Sequence, residues 1–177
     1  MKKVGITIYL ILLFIIIYLL QVNFFSWFNI GGVKPNLFII LLLMIGLFAG
    51  KKMGIIYGIL MGMTLDFWMC KSIGVYSIML AVVGFLGGSL SKNFSKDSRI
   101  TMLTMIAIAT LLYEVGVIML NYFINSSEIT ISYLLKTLIT EIIYNSIITI
   151  IIYPLIMNLG VKIEENFQEN RILTRYF

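Results

Sequence analysis

The chain has no histidine, one cysteine and two prolines among its 177 residues. A single cysteine, Cys70, cannot form an internal disulfide, and without histidine the common metal cages of histidine and cysteine are excluded, as is the commonest general base. The sequence also contains no nucleophile elbow, phosphate-binding loop or dinucleotide-binding fingerprint. We therefore expect no enzyme, no cofactor and no bound metal.

Charged residues are scarce as well, at 12% of the chain against about a quarter in soluble domains, while 60% of the residues are hydrophobic. This composition predicts an all-α, polytopic membrane protein. Breaks at glycine, lysine and proline divide the apolar residues into six transmembrane helices. They cover residues 4–20 (extending towards Trp27), 37–49, 54–69, 75–90, 100–124 and 137–159.

The six helices form one transmembrane domain, residues 1–160, and a mixed, charged tail follows at residues 161–177. We expect the tail to be cytoplasmic and to form an amphipathic helix on the membrane surface. The short apolar segment 129–135 cannot cross a bilayer, so it lies along the interface or leads into the last helix. Gly50 is expected to end the second helix.

The distribution of basic residues predicts the orientation. With the N-terminus in the cytoplasm and six crossings, ten of the 13 lysines and arginines fall on the cytoplasmic side, as the positive-inside rule requires. The three on the outer side are Lys34, Lys71 and Lys136. Both termini are therefore expected in the cytoplasm, and the net charge of +5 is explained by topology rather than by binding of nucleic acid.

Small residues recur at helical spacing in two of the predicted helices. Gly54, Gly58 and Gly62 follow one another every fourth residue, and Gly84 and Gly88 repeat the spacing in the next helix. Positions four apart lie on one helix face, and glycine there permits close approach of another helix. These faces are expected to pack inside the bundle or against a partner's single transmembrane helix.

Four polar side chains interrupt the apolar helices: Asp66, Glu114, Glu141 and Asn145. Glu141 and Asn145 lie one turn apart on one face. A charge near the middle of a bilayer costs at least about 2.5–3.5 kcal/mol, so each needs protonation or a partner. One hypothesis is an acidic relay or cation site; the alternative, which we favour, is that these groups join helices or contact a partner protein.

Several short motifs then point to a family. They are Pro35-Asn36-Leu37, Gly46-Leu47-Phe48, Lys51-Lys52, the Gly54–Gly58–Gly62 repeat, Leu65-Asp66-Phe67, Gly74, and the Asn145 and Pro154 of the last helix. With these motifs, its length and its six-helix layout, the chain resembles the MreD family of rod shape-determining proteins over nearly its whole length.

The resemblance implies a non-enzymatic component of the bacterial elongation machinery in the cytoplasmic membrane. It implies binding to the single-span protein MreC and, through it, association with the MreB filament, the RodA polymerase and a penicillin-binding transpeptidase. It also implies a helical bundle similar to the substrate-binding subunits of energy-coupling-factor transporters.

Two hypotheses from different classes follow. The first is a scaffold that binds another membrane helix, which substitutions such as Gly58→Leu should disrupt. The second is the substrate-binding subunit of a vitamin-type transporter, which requires a polar pocket open to the outside and lined by Asp66, Glu141 and Asn145. A bound small molecule would favour the second.

Overall fold

A computed structural model describes residues 2–69, 74–91, 98–125 and 131–167. These residues form six principal helices, and the described part of the chain contains no β-strand beyond one isolated bridge between Ile30 and Val33. The helices are α1 (Lys2–Leu19), α2 (Leu37–Ala49), α3 (Lys51–Met69), α4 (Val75–Leu90), α5 (Arg99–Asn125) and α6 (Ile131–Phe167). A π-helical turn, Leu20–Phe24, and a short α-helical segment, Phe25–Trp27, extend α1.

The predicted all-α class is confirmed for the described residues, and α2 and α4 have the predicted bounds. Within the part of the chain that the structure describes, three segments are long and apolar enough to cross a membrane: Val4–Trp27, Arg99–Ile124 and Leu134–Phe167. Helices α2 and α4 are apolar but shorter. The 13 residues of α2 span about 20 Å, less than the apolar thickness of a bilayer. Six full crossings therefore stay a prediction.

Helix α2 forms the centre of the bundle. All 13 of its residues are buried, and it packs against each of the other five principal helices. A helix that is apolar on every side is suited to such a position, because it has no face for water. Gly50 ends α2 as predicted: its φ of +91° is unfavourable for residues with a Cβ, and its N–H donates to the Gly46 carbonyl.

The last helix is longer than its predicted span. Because α6 begins at Ile131, residues 131–135 lead into it, in agreement with one of the two alternatives for that segment. Pro154 lies inside α6, and the helix continues through Gly160 to Phe167. The first part of the predicted tail therefore extends this helix. The rest of the tail and several residues used in the orientation argument, among them Lys71, Lys92 and Lys96, lie outside the described residues.

Candidate functional site

The repeated glycines of α3 lie directly against α4. A Cβ atom added at Gly58 would come within 2.6 Å of Ala81 Cα, and one added at Gly62 would come within 2.7 Å of the Ser77 nitrogen. Both atoms belong to the backbone, and both distances are far shorter than van der Waals contact. The face that the glycine spacing predicts is therefore a site of close helix packing within this chain.

The glycines of α4 contact two helices at once. A Cβ at Gly84 would collide with the backbone of Gly54 in α3, whereas Gly84 and Gly88 also approach Gly46 of α2. A Cβ added at Gly87 would collide with the carbonyl oxygen of Leu43 in α2. Helices α2, α3 and α4 thus form a unit in which backbone packs on backbone, and its small residues come from all three helices.

Asp66 caps the start of α4 from the neighbouring helix. Its Oδ1 atom accepts the backbone N–H of Tyr76 at 3.0 Å, and Oδ2 accepts the N–H of Ser77 at 3.0 Å together with the Ser77 hydroxyl. The first N–H groups of a helix have no partner within it, and the helix dipole favours a negative charge there. Asp66 is only 4% exposed, so these donors account for its burial.

A second polar cluster joins α5, α6 and the start of α2. Asn145 is fully buried; its Oδ1 accepts the N–H of Asn36 at 2.8 Å, and its Nδ2 donates to Thr110 Oγ1 at 3.0 Å. The carboxyl groups of Glu114 and Glu141 lie beside it and close to each other. The structure therefore brings three of the four predicted polar residues together. Asp66 lies apart from them, on the α3–α4 side.

Three buried side-chain atoms in the described residues have no hydrogen-bond partner: Asn36 Oδ1, Thr137 Oγ1 and Glu141 Oε1. Thr137 and Glu141 are one turn apart on α6, and Asn36 contacts Glu141. All three unsatisfied atoms are oxygens. Within the described residues, no group of three or more acidic, histidine or cysteine side chains could hold a metal ion.

Asn36, Thr110 and Thr137 were not predicted to belong to a polar cluster, although Asn36 is part of the Pro35-Asn36-Leu37 motif. A signal for two of them was present: Thr137 precedes Glu141 by four residues, and Thr110 precedes Glu114 by four residues, so each threonine continues the polar face of its helix. Asn36 carried no such signal, because it reaches the cluster only through the fold. Its neighbour Leu37 likewise donates its N–H to Gln21 Oε1 at 3.2 Å.

The polar residues do not line an open pocket of the kind that the transporter hypothesis requires. Asp66, Glu141 and Asn145 are 4%, 4% and 0% exposed, and Asp66 and Asn145 accept backbone N–H groups from other parts of the bundle. A cavity of about 590 Å³ at the end of the first span is lined by other residues. Those residues are Val22, Asn23, Phe24, Ser26, Trp27 and Phe28. The arrangement of the buried polar residues is therefore typical of side chains that hold neighbouring helices together.

The family model of the rod shape-determining protein MreD matches residues 1–163 of the chain. Comparison with curated proteins and with solved structures gives no match. The expected likeness to energy-coupling-factor subunits is therefore without support. The family match, together with the three long apolar helices among the described residues, identifies a membrane protein of a shape-determining family, which is not a known family of enzymes.

Proposed function

The chain belongs to the MreD family of rod shape-determining proteins, and from this premise we propose that it is a non-enzymatic scaffold of the bacterial cell-elongation complex. In the cytoplasmic membrane, with both termini in the cytoplasm, it binds an MreC-type protein through that protein's single transmembrane helix. It thereby supports peptidoglycan synthesis together with the MreB filament, the RodA polymerase and a penicillin-binding transpeptidase.

The observation that carries this proposal is the low burial of the first span. Of the most apolar 18 residues in Val4–Trp27, 11% are buried, against 28% and 33% for the two other long spans. One face of α1 carries an aliphatic row, defined here as the outer row of α1. Its members, Ile8, Leu12, Ile15 and Leu19, are spaced three or four residues apart and are 40–54% exposed.

The glycine faces, by contrast, are occupied by the chain's own helices, as the contacts of Gly58 with Ala81 illustrate. A partner helix therefore needs a different surface. In a bilayer, two helices associate by van der Waals packing rather than by the hydrophobic effect, so a regular row of branched side chains offers ridges for that packing. We place the contact with the partner on the outer row of α1.

Co-purification of the full chain with a tagged MreC-type partner from native membranes tests the proposal. The double variant Leu12→Trp/Ile15→Trp enlarges the outer row, whereas Ile147→Trp/Ile151→Trp makes the same change on exposed positions of α6. We expect the first variant to lose the partner and the rod shape of the cells, and the second to retain both. Partner recovery that is unchanged in the α1 variant would contradict the proposal.

A further inference from the structure

A cleft runs between α1 and α6, on a different side of α1 from the outer row. Its two parts are a wholly apolar groove of about 260 Å³ and a polar cavity of about 410 Å³. Leu13 and Ile17 of α1 and Ile152 and Leu159 of α6 line the groove, with α2 as its floor. The polar cavity lies between the N-terminal part of α1 and the C-terminal part of α6.

The two parts follow one another along α1 and α6, because their lining residues continue the same helix faces. On α1, Ile6 and Tyr9 of the polar cavity are followed at helical spacing by Leu13 of the groove. On α6, Leu159 of the groove is followed by Lys162 of the polar cavity. From residue 148 to residue 166 the lining extends about 27 Å along α6, which is longer than the roughly 15 Å of one leaflet's apolar layer.

The groove has the chemistry of a site for hydrocarbon. Its lining is aliphatic except for Phe25 and Met44, it presents no polar surface, and lining residues such as Ile16 and Leu155 are about half exposed. Apolar cavities do not take up water, and an empty groove would leave its lining without packing contacts. At the depth of the bilayer interior, an acyl chain is the molecule that fills such a space.

The polar end carries a pair of opposite charges. Lys162 and Glu165 lie three residues apart on α6, both are exposed, and both line the cavity with Tyr9 and Asn166. The Asn166 amide donates to the backbone carbonyl of Lys162 at 2.7 Å, which fixes the Asn166 side chain beside the lysine. A phosphate next to Lys162 and an ammonium next to Glu165 would complement this pair.

We propose that the α1–α6 cleft binds one phospholipid with a zwitterionic amine headgroup, such as phosphatidylethanolamine, with an acyl chain in the groove. The phosphate lies against Lys162 and the headgroup ammonium against Glu165. An anionic lipid without an amine matches this end less well, because its headgroup has no positive charge for Glu165. This site is independent of the partner contact proposed above.

Native mass spectrometry of the purified full chain tests the proposal, after reconstitution with equal amounts of phosphatidylethanolamine and phosphatidylglycerol. We expect one retained phosphatidylethanolamine per chain. The variant Lys162→Gln/Glu165→Gln should retain about fivefold less, as expected for the loss of exposed charge contacts worth about 1 kcal/mol. Glu165→Lys should shift the preference towards phosphatidylglycerol.

A pair of adjacent substitutions tests the groove. Ile152→Trp fills it, whereas Ile151→Trp places the same side chain at a position that is 70% exposed. We expect lipid retention to be lost in the first variant and kept in the second, with both showing a helical circular dichroism spectrum. Equal retention of the two lipids by the wild type, or undiminished retention in a helical Ile152→Trp variant, would overturn the proposal.

Discussion

One substitution, glycine to alanine, should have opposite effects at two positions of this chain. A Cβ added at Gly5 in α1 meets no atom within 4 Å, whereas one added at Gly58 in α3 meets Ala81 Cα and the Leu80 carbonyl oxygen at 2.6 Å. The chemical change is identical and both sites are helical. Only the neighbouring backbone differs, so the comparison isolates the close packing of α3 on α4.

The magnitudes follow from these distances. At Gly5, alanine improves helix propensity, which is worth up to about 0.5–1 kcal/mol. At Gly58, ordinary contact requires at least 3.4 Å, so α3 and α4 must separate by about 0.8 Å. A gap of that size forfeits about a quarter to a half of each dispersion contact along the interface, and overpacking costs about 1–3 kcal/mol. After the gain in propensity, we expect Gly58→Ala to destabilise the fold by about 1–2 kcal/mol.

Thermal unfolding in detergent, followed by size-exclusion chromatography of heated samples, measures the difference in stability between the Gly58→Ala and Gly5→Ala variants. For a chain of this length, 1 kcal/mol corresponds to about 2–4 °C in Tm. We expect Gly58→Ala to lower Tm by about 3–6 °C and Gly5→Ala to leave it unchanged or raise it. Gly58→Leu should fail to assemble. If Gly58→Ala is as stable as Gly5→Ala, the inference that α3 and α4 pack through bare backbone is wrong.

The polar joints allow three further predictions, each measured as a change in Tm under the same conditions. Asp66→Ala leaves two N–H groups of α4 unpaired and should cost about 2–4 kcal/mol, and Asp66→Asn about half of that, because one acceptor oxygen remains. Asn145→Ala removes the acceptor for the Asn36 N–H and the donor to Thr110, and should destabilise the fold by a similar amount. A change in stability below about 0.5 kcal/mol would contradict the role of Asn145 in joining these helices. Glu141→Gln should change the free energy of unfolding by less than about 1 kcal/mol, because the amide preserves the shape of the side chain and Glu141 Oε1 has no partner to lose. A large loss of stability would show that the fold requires the carboxyl group itself.

Much of the helix layout could be predicted because the apolar runs end at residues with a strong local preference. Gly50 and Gly74 adopt φ values of +91° and +95°, and they bound α2 and α4 at the predicted positions. The central place of α2 could not be predicted. Its leucines and isoleucines suit a bilayer as well as a protein core, so composition does not distinguish a lipid-facing helix from a buried one.

The same limit applies to the site. The spacing of Gly54, Gly58 and Gly62 predicted a face for close approach, but the spacing alone did not show that α4 of the same chain occupies it. The i, i+4 relation placed Glu141 and Asn145 on one face, whereas the bond from Asn36 to Asn145 joins residues 109 positions apart. Such contacts depend on how the helices pack, and single-helix periodicity carries no information about them.

Site-specific photo-crosslinking in living cells tests the scaffold proposal most directly. A photoreactive amino acid at Ile8 or Leu12 lies on the outer row of α1, and the same residue at Ile151 of α6 is the exposed apolar control. We expect the two α1 positions, and not the α6 position, to yield a covalent adduct with an MreC-type single-span protein. Adducts at Ile151 with none at Ile8 and Leu12, or no protein adduct at any of the three, would contradict the proposed contact.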